Sequence, residues 1–316
     1  MTYKDFGLSN TKQMLTDAHA GGYAVPGYNF SNMETLQAII RACEKTNSPV
    51  ILQVSQGSIK YTGMETLIAL VKSAIHESRI TNHEMQSIAL HLDHGADFEI
   101  CKAAIDAGFS SVMIDASDKP FDENVRITRQ VVEYAKQFDV SVEAELGALA
   151  GIEDDKVGHE NIFTKPDEAA RFVELTGIDS LAISIGTSHG AYKGAAGTEL
   201  KFDLLKEITD ALPGFPLVLH GASSIPAELV EQINKYGGKL SDAHGIPTEQ
   251  LIRARGMGIC KINVDSDARL AFTAAVRKSL NDNPAEFDPR SYLSAARDKM
   301  MEMYVDKNIS VMGSGQ

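Results

Sequence analysis

The stretch SIALHLDHG, residues 87–95, decides how this chain is read. Its apolar run over 88–92 has strand character and ends in Asp93, His94 and Gly95. Two other apolar runs end the same way, SIGTSHG in His189 and LVLHG in His220. Each histidine taken singly also fits an ordinary hydrogen-bonding loop residue. Three at strand ends, one beside a carboxylate, read as a divalent-metal site.

Working outward, short runs of strand character lie at 23–28, 50–54, 88–92, 111–115, 140–145, 181–185, 216–220 and 259–263. Helical periodicity fills 32–45, 64–78, 97–107, 122–137, 167–176, 201–211 and 226–235, and one more long helical region follows 263. Eight strands each followed by helix make an α/β chain with the count of a (β/α)8 TIM barrel. A doubly wound open sheet has the same periodicity. Punctuation agrees with strand-then-helix order: Asn32 and Glu34 read as a cap, Thr164, Pro166 and Asp167 as a helix start, and Gly108 and Gly177 as C-caps. No segment is rich enough in Pro, Ser or Gly to divide the chain, so residues 1–316 read as a single TIM-barrel domain with a C-terminal helical extension. Two long loops, 146–163 and 236–248, stand out as lid or binding loops.

The chain has 316 residues, 43% of them apolar, enough for a large core. A formal charge of −13 argues against partners such as nucleic acid or an anionic membrane, while leaving room for a local basic pocket. Cys43, Cys101 and Cys260 have neither disulfide-like nor metal-like spacing, which suggests a reducing compartment. The N-terminus lacks a basic region followed by an apolar stretch, and a soluble cytoplasmic protein is expected.

In a barrel, the C-terminal ends of strands form the active face. His94, His189 and His220 would meet there and leave coordination positions open, as a catalytic zinc site does. His91 is a supporting candidate; His19, His76, His83, His159 and His244 read as peripheral. Asp93 and His94 are neighbours, so regular strand geometry would send them to opposite faces; a turn at the strand end would bring both inward. Glu145 ends VEAEL and points a second carboxylate at the same mouth, with Glu143 two residues earlier. Glycines and hydroxyls cluster after the late strands, at Gly186, Thr187, Ser188 and Gly190, at Gly221, Ser223 and Ser224, and at Asp265 and Ser266. Late barrel loops commonly hold phosphate through such backbone N–H groups, and Lys193 adds a charge. Asn29, Ser55 and Asn263, each at a strand end, are candidate ligand contacts.

The blocks YAVPGYNF (23–30), HLDHG (91–95), SVMIDAS (111–117), SVEAELG (141–147), GTSHGAYKG (186–194), LVLHGASS (217–224), KINVDSDARLAFTA (261–274) and DPRSYL (288–293) together resemble the class II, metal-dependent fructose-bisphosphate aldolases. The resemblance implies zinc-dependent, reversible cleavage of fructose 1,6-bisphosphate to dihydroxyacetone phosphate and glyceraldehyde 3-phosphate, without a Schiff-base lysine. It implies His94, His189 and His220 as Zn2+ ligands, Asp93 as the proton-transfer residue, Glu145 as its assistant near the metal and Asn263 as the group that orients the enediolate. Gly190, Gly221, Ser223, Asp265 and Ser266 are implied for the triose phosphate, Ser266 standing where the family usually has Thr. Ser55 and Arg290 are implied for the other phosphate, Arg290 from a neighbouring subunit. A homodimer and a monovalent cation, Na+ or K+, are further implications. Tagatose-bisphosphate aldolases share the scaffold; a non-catalytic metal-binding barrel and a metal-dependent phosphosugar isomerase are the readings from other classes.

Overall fold

The computed structural model describes residues 2–81, 87–149, 151–153, 156–158, 162–190, 199–241 and 243–315. Its strands are β1 Val25–Asn29, β2 Val50–Ser55, β3 Ile88–Gly95, β4 Ser111–Ile114, β5 Ser141–Leu146, β6 Gly151–Glu153, β7 Lys156–Gly158, β8 Ser180–Ile183, β9 Leu217–Leu219 and β10 Ile259–Val264. All except β6 and β7 form one closed barrel. Neighbouring barrel strands pair in parallel, and β1 closes the ring on β10 with Val25 opposite Lys261. Closure decides for the (β/α)8 barrel over the open sheet. β6 and β7 pair antiparallel within the expected long loop after β5.

The seven expected inter-strand helices are present, as Met33–Thr46, Met64–Thr81, Phe98–Ala107, Phe121–Ala135, Pro166–Thr176, Phe202–Ala211 and Ala227–Lys235. Asn32 caps the first of them, its Oδ1 accepting from the Thr35 amide at 2.9 Å. Gly108 and Gly177 end theirs at φ 100° and 69°, where a side chain would be strained. Thr164 departs from expectation: it ties β5 to β8, donating to the Leu146 carbonyl at 2.5 Å and accepting from the Ser184 amide at 2.8 Å. The expected long helical region after 263 is present. It divides into Ser266–Asp282 and Pro289–Asp306, with Pro289 fixing the second start, and ends in a π-helical turn, Lys307–Met312. Helices Thr11–Gly21, Gln56–Thr62 and Thr248–Arg255 were not anticipated.

Period-two alternation sorts each strand's side chains between two interiors. Leu52, Val54, Leu90, Leu92, Val112, Ile114, Val142, Ala144, Leu181, Ile183, Ile262 and Val264 pack outward against the helices in the main core. The alternate residues fill the barrel. Its lower end is apolar: Val25, Ile51, Ala89 and Cys260 pack against Met14, Leu15 and Ala18 of the helix Thr11–Gly21, which plugs it. Among the described residues no helix is long and apolar enough to cross a membrane.

Candidate active site and metal centre

At the upper end of the barrel the inward positions turn polar. Asn29, Ser55, Asp93, Asp115, Glu145, His220 and Asn263 are all buried there. On β3, alternation sends His91 and Asp93 inward and would send His94 out. Instead His94 takes a left-handed backbone, φ 50°, and the β3–β4 register shifts between Leu92 and Gly95. This local bulge turns His94 into the mouth beside Asp93, at a backbone conformation costly for a non-glycine residue. Gly95 makes the turn possible, because a Cβ there would lie 2.7 Å from the Met113 carbonyl oxygen.

His94, His189 and His220 each offer a ligand atom, and these atoms lie within 4.8 Å of one another. His94 Nδ1–H donates to Asp115 Oδ2 at 2.8 Å, leaving Nε2 as the lone-pair nitrogen. His220 Nε2–H donates to Glu143 Oε1 at 2.7 Å, leaving Nδ1. Those two lone-pair nitrogens face each other across 2.8 Å. Two unprotonated nitrogens so placed repel unless a cation lies between them, so this donor set fits a zinc ion. Burial pushes the His220 imidazole below its usual pKa, which keeps it neutral, as a ligand must be.

Beneath this centre is a buried charge cluster. Lys261, 0% exposed, donates to Glu143 Oε2 at 2.8 Å and lies 3.4 Å from His91 Nε2. His91 Nδ1–H then donates to Ser111 Oγ at 2.7 Å. Burial alone would raise the Glu143 carboxyl, but the Lys261 ammonium and the hydrogen bond from His220 outweigh it and hold the group far below the usual carboxylate range. Burial, helped by Lys261, pushes His91 well down, so it is neutral.

Asp93 is 1% exposed and accepts from Asn29 Nδ2 at 2.7 Å and from Asn263 Nδ2 at 3.3 Å. Asn29 is itself held by Gln53, whose Nε2 donates to its Oδ1 at 3.1 Å. Asn263 Nδ2 also stands 3.1 Å from His220 Nδ1, so one amide spans the carboxylate and the imidazole. Glu145 is buried, and its carboxylate joins His94 and Asp115 in a second group of ligand atoms within 4.8 Å.

The glycine- and hydroxyl-bearing turns meet at the same mouth. Gly221, at φ 60°, comes so near the Ser188 carbonyl that a Cβ would lie 2.6 Å away. Gly190 has φ 82°. Ser223 Oγ accepts from the Asp265 amide at 3.4 Å, and Ser266 opens the helix that follows. Ser55 Oγ caps the helix Gln56–Thr62 by accepting from the Ser58 amide at 3.2 Å. A cavity of about 270 Å³ opens beside these groups, lined in part by Asn29, Ser31, Ser58, Asp265 and Arg269. Arg269 pairs with Asp265, Nη2 to Oδ2 at 2.7 Å. Arg290 pairs with Asp288 at 2.7 Å, its side chain 90% exposed. Lys193, His83 and His159 lie outside the described residues. His19, His76 and His244 are exposed.

The sequence reading missed Asp115, Lys261, Gln53 and Arg269 as site residues. For the first three the signal was available: each is a polar residue at an inward position of an otherwise apolar strand. Arg269, one helical turn beyond Asp265, required the spacing of a helix rather than a strand.

Residues 9–316 match the family profile described as "Fructose-bisphosphate aldolase class-II". The chain is 51% identical to the fructose-bisphosphate aldolase of Treponema pallidum, covering 99% of this chain and 98% of that protein. It is 50% identical to that of Giardia intestinalis, covering 97% and 93% respectively. Among solved structures, the YdjI aldolase of Escherichia coli K12 superposes with a TM-score of 0.77 at 30% identity, over 98% of each chain.

Proposed function

The chain belongs to the class-II fructose-bisphosphate aldolase family, and on that premise we propose the following mechanism for the zinc-dependent, reversible cleavage of fructose 1,6-bisphosphate to dihydroxyacetone phosphate and glyceraldehyde 3-phosphate. The observation that carries it is the pair of facing lone-pair nitrogens on His94 and His220, with His189 in reach and the Asp93 carboxylate held beside them by Asn263. These three histidines would hold the metal. When bound, Zn2+ supplies Lewis-acid stabilisation of the negative charge that develops as the C3–C4 bond breaks.

The chain's own groups do the rest. Asp93 takes the proton from the C4 hydroxyl in cleavage and returns it in condensation. Its two amide donors, Asn29 and Asn263, keep it aimed. Glu145 takes a proton from dihydroxyacetone phosphate in the condensing direction. Asn263 orients the enediolate. Gly190, Gly221, Ser223, Asp265 and Ser266 hold the triose phosphate, with Lys193 adding charge. Ser55 and Arg290 of the partner subunit hold the other phosphate, within a homodimer. The exposure of Arg290 and of Phe287, each 90%, supports a covered face there. Activity enhancement by Na+ or K+ and action in the cytoplasm belong to the same reading, the latter supported by three buried free cysteines. One barrel domain over 1–316, with its C-terminal helices, is the working unit.

Triose-phosphate release from fructose 1,6-bisphosphate and from tagatose 1,6-bisphosphate tests this. Faster cleavage of the fructose ester is expected. Preference for the tagatose ester would keep the chemistry and change the substrate. Absence of cleavage by zinc-loaded protein would remove the aldolase and leave a binding barrel or an isomerase.

A further inference from the structure

The far end of the chain reaches back into the loop that follows β9. Lys307, in the last turn of structure, is 4% exposed, and Asp267, near the start of the helix Ser266–Asp282, is 0% exposed. Their charged groups meet at 2.6 Å. Asp267 accepts from the Ser224 amide at 3.1 Å, the Ser224 hydroxyl at 3.1 Å and the Ile225 amide at 2.7 Å. Lys307 also donates to Ser224 Oγ at 2.9 Å. Ile225 sits at φ 50°, a conformation that a β-branched residue adopts only when its surroundings impose it. The neighbouring Asn308 anchors the C-terminal segment itself, accepting from the Tyr28 hydroxyl at 2.8 Å and donating to Thr46 Oγ1 at 3.0 Å.

None of these groups is needed to close the barrel, yet together they hold the turn 221–225 in a strained shape. That turn begins directly after His220 and carries Gly221 and Ser223. We propose that Lys307 and Asp267 are positioning residues for substrate phosphate: the C-terminal segment supplies the counter-charge that lets Asp267 gather the Ser224 and Ile225 amides, and so sets Gly221 and Ser223 at the mouth. The functional half of this inference rests on the aldolase reading above.

The consequence is a split in kinetics. Phosphate is a handle that does not react, so a misplaced turn weakens substrate and transition state alike. In the zinc-loaded full chain, Lys307→Met raises KM for fructose 1,6-bisphosphate about tenfold and leaves kcat within about threefold, the size expected from losing one hydrogen bond to a charged group. Lys307→Arg, which keeps the charge, holds KM within about twofold of wild type. Amide hydrogen exchange over 221–225 is faster in Lys307→Met by about tenfold or more, independently of any activity. Should Lys307→Met not fold, Lys307→Met/Asp267→Asn removes both charges at once and is read in the same way, since Asn offers one acceptor oxygen where the carboxylate offers two.

Unchanged exchange over 221–225 would overturn the proposal, and so would faster exchange with an unchanged KM. An equal rise of KM in the Arg and Met variants would assign the effect to packing and also overturn it. If wild-type protein cleaves no bisphosphate at all, the aldolase reading fails, and the exchange measurement alone decides whether the C-terminal segment holds the turn.

Discussion

The two ends of the barrel interior are built from the same strands and hold opposite chemistry. Below, Val25, Ile51, Ala89 and Cys260 pack dry against the plug helix Thr11–Gly21. Above, four residues farther along three of the same strands, stand Asn29, Ser55 and Asp93, all in hydrogen bonds. Between them a layer of His91, Glu143 and Lys261 manages the transition. The lower end contributes stability by removing apolar surface from water. The upper end contributes little of that; there Asn29 and Asn263 fix Asp93, Asp115 fixes His94 and Glu143 fixes His220, and such fixation is what a reacting site requires.

The largest expected effect breaks the upper end. Asp93→Asn keeps shape and removes the base, so kcat falls by about 10²–10⁴-fold. Bound zinc, measured by elemental analysis, stays at the wild-type amount, because Asp93 is no part of the histidine set. Next is the intermediate layer. Lys261→Met leaves Glu143 buried without its counter-charge and costs about 3–5 kcal/mol in urea unfolding; Lys261→Met/Glu143→Gln recovers most of that. A full loss in the double variant would mean that shape, rather than charge, governs this layer.

A smaller effect tests pH dependence. Burial would raise the Asp267 carboxyl, but Lys307 and the amides of Ile225 and Ser224 outweigh it and hold it below its usual range. A carboxylate whose pKa is depressed on folding stabilises the protein above its ordinary value of about 3.9, and that contribution is lost as pH falls through the folded value. Wild type should therefore lose stability more steeply than Asp267→Asn as the pH drops below about 4, read by circular dichroism melts. Parallel curves would show that the ion pair contributes no linkage. The smallest effect belongs to the dry end: Ile51→Val costs about 1 kcal/mol and leaves kcat and KM at wild-type values.

This contrast also explains what could be read from the residues alone. The eight strands and seven of the helices between them announced themselves through runs and caps, because both obey local periodicity. The three histidines that meet at the mouth were legible because each ends an apolar run beside glycine. The barrel's closure was not legible, since pairing of β1 with β10 joins residues more than two hundred positions apart and leaves no local trace. The plug helix escaped because it precedes the first strand, outside the repeating unit. Glu143 was legible as a carboxylate two residues before Glu145, whereas Lys261 signalled only a buried partner: a charge within an apolar strand does not say which one. The bulge at His94 was foreseen as a need, and its φ of 50° is how the chain meets it.

On the proposed mechanism, the polar end of this barrel is organised around a zinc ion that the cleavage reaction requires. The most direct test is to strip metal with EDTA, return zinc in measured steps, and follow triose-phosphate release from fructose 1,6-bisphosphate. Cleavage should vanish on chelation and rise linearly to an end point near about one zinc per chain, and a His94→Ala variant should show no such rise. Cleavage that survives exhaustive chelation, or zinc that binds stoichiometrically without restoring it, would contradict the account.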